Sequence, residues 1–117
     1  MRVSKFLIQK YVDRLEGATK PLLRSEANEI AREIVQHLEA DAGDLIALML
    51  CLQGDYRHAE VLATRLLPRD MAWSITPSPA VVGPKPARYE VRIGEAVASG
   101  AIPSLALVAG LLRRGRG

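Results

Sequence analysis

Cysteine and aromatic residues are scarce in this chain of 117 residues. The single cysteine, Cys51, excludes an internal disulfide framework and fits a reducing cytosol. Aromatic residues make up only 4% of the sequence, so Leu, Ile, Val and Ala must fill the core. Because hydrophobic residues reach 49%, the sequence predicts one folded domain that spans residues 1–117.

The sequence also lacks a long apolar run and a secretory signal pattern. The longest run, from Leu45 to Leu52, is too short to cross a bilayer, so we expect a cytoplasmic protein without membrane insertion. The formal net charge is only +3, and part of that excess lies in the segment Arg113-Arg114-Gly115-Arg116. A short basic segment of this kind is typical of a solvated helix end.

Hydrophobic periodicity predicts four consecutive helices, at residues 4–16, 25–39, 41–53 and 55–67. The third of these differs from the others because its eight residues from Leu45 to Leu52 are all apolar. A helix that is apolar on every side must be covered on every side. We therefore expect a partner to supply part of its cover.

The remaining third of the chain is rich in proline at first and apolar at the end. Four prolines within residues 74–88 preclude a regular helix and predict a loop. Two further helices are predicted at residues 89–98 and 103–114, and Pro103 suits the first turn of the second one. Gly110 would allow this helix a close contact.

Small residues around Gly54 follow the spacing of a tetratricopeptide helix pair. Ala47 precedes the run Gly54-Asp55-Tyr56, and Ala59 follows it. The glycine forms a tight turn, the aspartate caps the next helix, and the alanines let the two helix axes approach. This spacing predicts an all-α fold, a tetratricopeptide-like stack of antiparallel helical hairpins.

Residues that could carry catalysis or bind a metal do not form a pattern in the sequence. Cys51 and His58 fall on different predicted helices without a third group to orient them, and His37 lacks metal-ligand spacing with either. We therefore predict that the chain is not an enzyme, has no catalytic or metal-binding residues and no cofactor, and takes no small-molecule substrate.

A helix-turn-helix DNA reader is the rival interpretation for residues 25–38 and 44–53. Its second helix would have to read base edges, yet residues 44–53 contain no Arg, Lys or Asn, so nucleic acid is not the expected partner. Two alternatives stay open. One is a generic helical protein-binding adaptor, and the other is a small DNA-associated regulator that uses the basic segment.

The order of several short motifs resembles the tetratricopeptide-like chaperones of type III secretion needle subunits. The motifs are Glu26-Ala27-Asn28-x-Ile30-Ala31, Leu45-Ile46-x-Leu48, Leu52-x-Gly54-Asp55-Tyr56-x-x-Ala59, Trp73, Glu90-x-Arg92-Ile93-Gly94 and Pro103-x-Leu105 through Ala109-Gly110-Leu111-x-Arg113. The likeness covers residues 25–73 and extends over residues 90–113.

This resemblance implies a bacterial cytoplasmic chaperone with two protein partners. Together with a second small helical chaperone, it would hold the needle subunit in a heterotrimer and prevent early polymerisation. The needle subunit's amphipathic helix would lie in an apolar groove formed by Asp44, Leu45, Leu48, Met49, Cys51 and Leu52. The second chaperone would cover a face formed by Phe6, Tyr11 and Leu15. The alternative, that the groove residues contact other helices within the core, stays open.

Overall fold

The computed structural model describes residues 5–38, 40–77 and 88–114. Five helices and one three-stranded sheet follow each other in the order α1 (Lys5–Gly17), α2 (Arg24–His37), α3 (Ala42–Leu52), α4 (Tyr56–Leu66), β1 (Trp73–Pro77), β2 (Tyr89–Ile93), β3 (Ala96–Gly100) and α5 (Pro103–Arg114). The fold is therefore mixed α/β, and the prediction of an all-α stack of helical hairpins is wrong.

The first four helices lie where the hydrophobic periodicity predicts them. α3 begins with a capping box, in which the backbone N–H of Asp41 donates to Asp44 Oδ2 over 3.0 Å. At the turn into α4, Gly54 adopts a φ of +104°, and the Asp55 side chain accepts from the His58 backbone N–H over 3.2 Å. The turn and cap expected of Gly54-Asp55 are thus confirmed.

An antiparallel sheet replaces the first residues of the loop, and all of the helix 89–98, that were predicted after α4. Residues 74–77 of the predicted loop belong to β1, residues 78–87 lie outside the described part, and the predicted helix 89–98 is a strand, a turn and a second strand. Apolar and polar residues alternate from Tyr89 to Ile93, which is the period of a strand. The two-residue turn Gly94-Glu95 then joins β2 to β3, and Gly94 has a φ of +59°.

α5 is the central element of the core. Its residues from Ser104 to Leu112 are all buried, because it packs on β2 and β3 and also against α1, α3 and α4. A Cβ on Gly110 would lie 2.9 Å from Val91 Cγ1 and 3.1 Å from Ile93 Cδ1. The absence of a side chain there lets α5 lie directly on the sheet, which confirms the close contact predicted for Gly110.

Glu16, near the end of α1, connects three parts of the fold. Its side chain accepts from Arg113 Nη2 over 2.8 Å and from the Ser99 backbone N–H over 3.0 Å. Its carbonyl oxygen accepts from Arg88 Nη2 over 2.8 Å. Arg113 therefore belongs to α5 and is paired, so the expectation of a solvated end is wrong for this residue. Residues 115–117 of the basic segment lie outside the described part.

Candidate protein-binding surface

The predicted groove residues of α3 lie in the core. Leu48, Cys51 and Leu52 have no exposed surface, since they face α2, α4 and α5 rather than an open groove. The prediction that they contact a partner is wrong for these three side chains, and the alternative of core contacts is what the structure shows. The three positions share one side of α3 because each helical residue turns by about 100°.

Asp44 shares this buried side and is only 2% exposed. Its carboxylate accepts the Asp41 backbone N–H of the capping box and pairs with Arg65 of α4. A buried carboxylate needs such partners, because an unpaired buried charge is strongly destabilising. Asp44 therefore joins α3 to α4. The prediction that Asp44 lines an open groove is wrong.

The opposite side of α3 carries an apolar stripe that is not fully buried, although Met49 packs partly against the core. We define the α3 stripe as Ile46, Met49 and Leu50, which follow the i, i+3, i+4 spacing of one helix face. Ile46 is 66% exposed, and Met49 and Leu50 are half-buried. The described residues therefore bury the stripe only in part. The apolar run from Leu45 to Leu52 led us to expect that some apolar surface of α3 would stay exposed within the chain.

Two stripe residues, Ile46 and Leu50, were missed in the sequence-based site. The predicted groove followed the tetratricopeptide register, which places Asp44 on the binding side. Asp44 is the only charged residue of α3, and in the fold it lies on the buried side, where Arg65 pairs with it. That pairing was not visible in the sequence. Of the predicted groove residues, Met49 lies on the stripe and Leu45 is half-buried at its flank.

The predicted face for a second chaperone is not one surface. Phe6 is 85% exposed, Tyr11 is half-buried, and Leu15 is fully buried in the core. Helical geometry explains the division, because Phe6 lies about 140° from Tyr11 and about 180° from Leu15 around the axis of α1. The prediction is therefore wrong for Leu15, and Phe6 is the exposed apolar residue that remains on α1.

The thiol of Cys51 lies in an environment that suppresses its reactivity. Burial raises the pKa of the Cys51 thiol to about 12, and the negative charge of Asp55 adds to the shift. A thiol with such a pKa stays protonated at neutral pH and is a poor nucleophile. His58 Nδ1 lies 2.9 Å from Asp55 Oδ2 at the start of α4. The imidazole of His58 is therefore paired with the residue that caps the helix.

Metal-binding clusters and membrane-spanning helices are both lacking in the described part of the chain. Among residues 5–38, 40–77 and 88–114, no group of three or more His, Cys, Asp or Glu side chains is placed to hold a metal ion. Within the same ranges, no helix has the length and apolar character needed to span a bilayer.

No family model, no curated protein and no solved structure matches the chain. Its function must therefore be inferred from the geometry of the described residues and from the motif resemblance in residues 25–73.

Proposed function

We propose that this protein is a chaperone that binds an amphipathic helix of a partner protein along the α3 stripe. The observation that supports this proposal is the exposure of Ile46 in line with half-buried Met49 and Leu50. A partner helix recognises such a surface through apolar residues at the same i, i+3, i+4 spacing. No chemical step is part of this function.

The energetics suit reversible binding. Covering the exposed part of Ile46 would contribute about 1–2 kcal/mol, and the uncovered parts of Met49 and Leu50 would add similar or smaller amounts. The costs of association and of side-chain ordering are subtracted from this gain. A stripe of three residues therefore gives binding that can be released when the partner is needed elsewhere.

The specific partner that we propose is the needle subunit of a type III secretion system, held together with a second small helical chaperone. The motif resemblance supports this choice, and its well-matched part, residues 25–73, includes α3, α4 and all of α2 except its first residue. A needle subunit polymerises through apolar helix surfaces, so a chaperone must cover such a surface before export. We propose a bacterial cytoplasmic location for the same reason.

The test uses the tagged full-length chain in the bacterium that encodes it, with mass spectrometry of the co-purified proteins. We expect a needle subunit and a second small helical protein in near-equal amounts. The Ile46→Asp variant should recover little needle subunit, because its affinity should fall at least about tenfold, which corresponds to about 1.4 kcal/mol.

Val61→Asp is the matched control. Val61 is also an exposed β-branched residue, but it lies on α4 among Arg57, Glu60 and Thr64. We expect this variant to bind like the unaltered protein. The chain could instead recover one unrelated protein, which the Ile46→Asp variant loses and the Val61→Asp variant keeps. That result would indicate a general adaptor and not a secretion chaperone. Normal needle-subunit binding by a folded Ile46→Asp variant would show that the stripe is not the binding surface.

A further inference from the structure

β1 is one of the two edge strands of the sheet, beside β3 in the order β1-β2-β3. Its backbone hydrogen-bonding groups point alternately toward β2 and away from it. The backbone N–H of Gly94 donates to the Ala72 carbonyl over 3.2 Å, so residues 72 and 94 form a hydrogen-bonded pair. Because such pairs alternate along an antiparallel ladder, Ser74 and Thr76 bond to β2, whereas Trp73, Ile75 and Pro77 direct their backbone groups away from it.

No charged side chain on β1 protects this outward edge. Natural edge strands are commonly protected by charged side chains, and β1 has the uncharged sequence Trp-Ser-Ile-Thr-Pro. Pro77 lacks an N–H group at an outward position, so it hinders an added strand at that end, and Trp73 and Ile75 are the outward residues of β1 that offer both an N–H and a carbonyl. Within the described ranges, no backbone group is bonded to the outward groups of Trp73 and Ile75.

An apolar pocket lies beside the same edge. It has a volume of about 370 Å³ and is lined by Tyr56, Ile75, Pro77, Tyr89 and Pro103. The pocket exists because α5 covers β2 and β3, so the α5-facing side of β1 is only partly covered and Trp73 and Ile75 are half-buried. None of its lining side chains carries a charge at neutral pH, and burial raises the pKa of Tyr56 further.

We propose that the outward edge of β1 binds an extended, uncharged segment of a partner protein as a fourth strand. The main-chain groups of Trp73 and Ile75 would pair with the segment, and the pocket would take an apolar side chain from it. The proposed strand is antiparallel to β1, so its residues that bond to Trp73 and Ile75 lie directly opposite them and direct their side chains to the pocket side. The recognised sequence therefore alternates, with apolar residues at the positions that bond.

The choice of occupant follows from charge and from hydrogen bonding. An uncharged edge and an uncharged pocket match a segment without Lys, Arg, Asp or Glu, since a charge placed there would lose its hydration without gaining a partner. Unpaired backbone donors and acceptors in a row match a strand rather than a helix, whose own groups are already bonded. This site is separate from the α3 stripe, so it does not depend on the proposed function.

The experiment uses the full chain and capped nine-residue peptides that alternate Thr and Val. In one peptide the Thr nitrogens are methylated, which leaves the Val amides free to bond to β1 and blocks stacking of further peptides. In the other peptide the Val nitrogens are methylated, which blocks the edge that must face β1. Trp73 is the only tryptophan of the chain, so its fluorescence reports binding at this strand.

We expect the N-methyl-Thr peptide to shift Trp73 fluorescence with saturation below about 1 mM, and the N-methyl-Val peptide to bind at least about tenfold more weakly. Equal binding of the two peptides would show simple apolar adhesion and would overturn the proposal. No response to either peptide would overturn it as well, as would pairing of β1 with β1 of a second copy, seen as a dimer by light scattering.

A pair of variants places the binding on the outward edge. Ile75→Pro removes an N–H that the sheet does not use and blocks the incoming strand, while Ile75→Val keeps both the N–H and the apolar side chain. We expect Ile75→Pro to retain its circular dichroism spectrum and to lose at least about tenfold in peptide affinity, with Ile75→Val near the unaltered value. A folded Ile75→Pro protein that binds the peptide normally would contradict the edge assignment.

Discussion

α3 and α5 are the two most apolar of the described helices, but they differ in how completely they are buried. α3 contains eight consecutive apolar residues, yet it leaves Ile46 exposed. α5 contains Ser104 and Gly110 and is nevertheless buried on every side from Ser104 to Leu112. The difference lies in their neighbours, because α3 packs against α2, α4 and α5, whereas α5 also has the sheet. Burial therefore follows the position of a helix in the fold and not its apolar content alone.

The strongest test of this comparison truncates one leucine in each helix. Leu107 of α5 is fully buried, so Leu107→Ala should reduce the free energy of unfolding by about 2–5 kcal/mol through lost transfer energy and a cavity. Leu50 of α3 is half-buried and lies on the stripe, so Leu50→Ala should cost less than about 1.5 kcal/mol. Urea unfolding measures both free energies, provided that the dependence of the free energy on urea concentration is the same for each variant. Equal losses of unfolding free energy in the two variants would contradict the central role of α5.

A second test adds volume to a glycine in each helix. Gly110→Val brings carbon atoms within 3 Å of Val91 and should cost about 1–3 kcal/mol, or more if α5 cannot shift away from the sheet. A Cβ added to Gly43, in α3, would meet no neighbouring atom within 4 Å. Gly43→Ala should therefore stabilise the protein, by up to about 1 kcal/mol, because it lowers the entropy of the unfolded chain. Urea unfolding measures both changes, and a neutral Gly110→Val would show that the contact is loose.

The turn between α3 and α4 should depend on pH through Asp55. The hydrogen bond from the His58 backbone N–H lowers the pKa of the Asp55 carboxyl below its ordinary value of 3.8, and the His58 side chain lowers it further. A lowered folded-state pKa stabilises the fold above the unfolded value, and this stabilisation is lost as the pH falls through the folded-state pKa. Acid should therefore loosen this turn.

The measurement compares the unaltered protein with Asp55→Asn at pH 7 and at a series of acid pH values below 3.8, the ordinary pKa of the carboxyl. Asparagine also caps helices, so the variant should fold, but it lacks the titrating charge. We expect the unaltered protein to be slightly more stable at neutral pH and the difference to shrink in acid. A difference that stays constant with pH would show that the carboxylate charge of Asp55 does not stabilise the turn.

The smallest expected effect on stability concerns the α3 stripe itself. Ile46→Ser should change the free energy of unfolding by no more than about 0.5 kcal/mol, because the side chain is already mostly exposed. The same variant should weaken partner binding if the stripe is the contact surface. Thermal unfolding of the purified variant measures the first effect, and a loss of several kcal/mol would mean that Ile46 is part of the core.

Sequence patterns predicted the helical half of this protein better than its sheet. Residues 27, 30, 31 and 34 of α2 are buried as their spacing predicts, and the cap at Asp55 is confirmed. The alternation from Tyr89 to Ile93 and the following Gly94-Glu95 carried a hairpin signal that the helix interpretation overlooked. β1 is harder to recognise, because its five residues end in proline and only pairing with β2 identifies them as a strand.

The candidate site, too, could be predicted from the sequence only in part. The apolar run of α3 indicated that some apolar surface would remain uncovered, but it did not indicate which side. Asp44 lies on the buried side of α3 with Leu48, Cys51 and Leu52, where Arg65, 21 residues away, pairs with it, and Ile46 lies on the opposite side. A pairing over such a distance depends on how α3 and α4 pack, which periodicity within one helix does not describe.

The sequence by itself determined the approximate bounds of the five helices, the turn at Gly54 and the room for close packing at Gly110, because each depends on local conformation or on residue size. Only the tertiary structure decided that α5 lies at the centre, that Leu48 and Cys51 belong to the core, and that Ile46 and the edge of β1 face outward. These features depend on contacts between residues far apart in the chain, where packing and charge pairing choose among faces that are equally apolar.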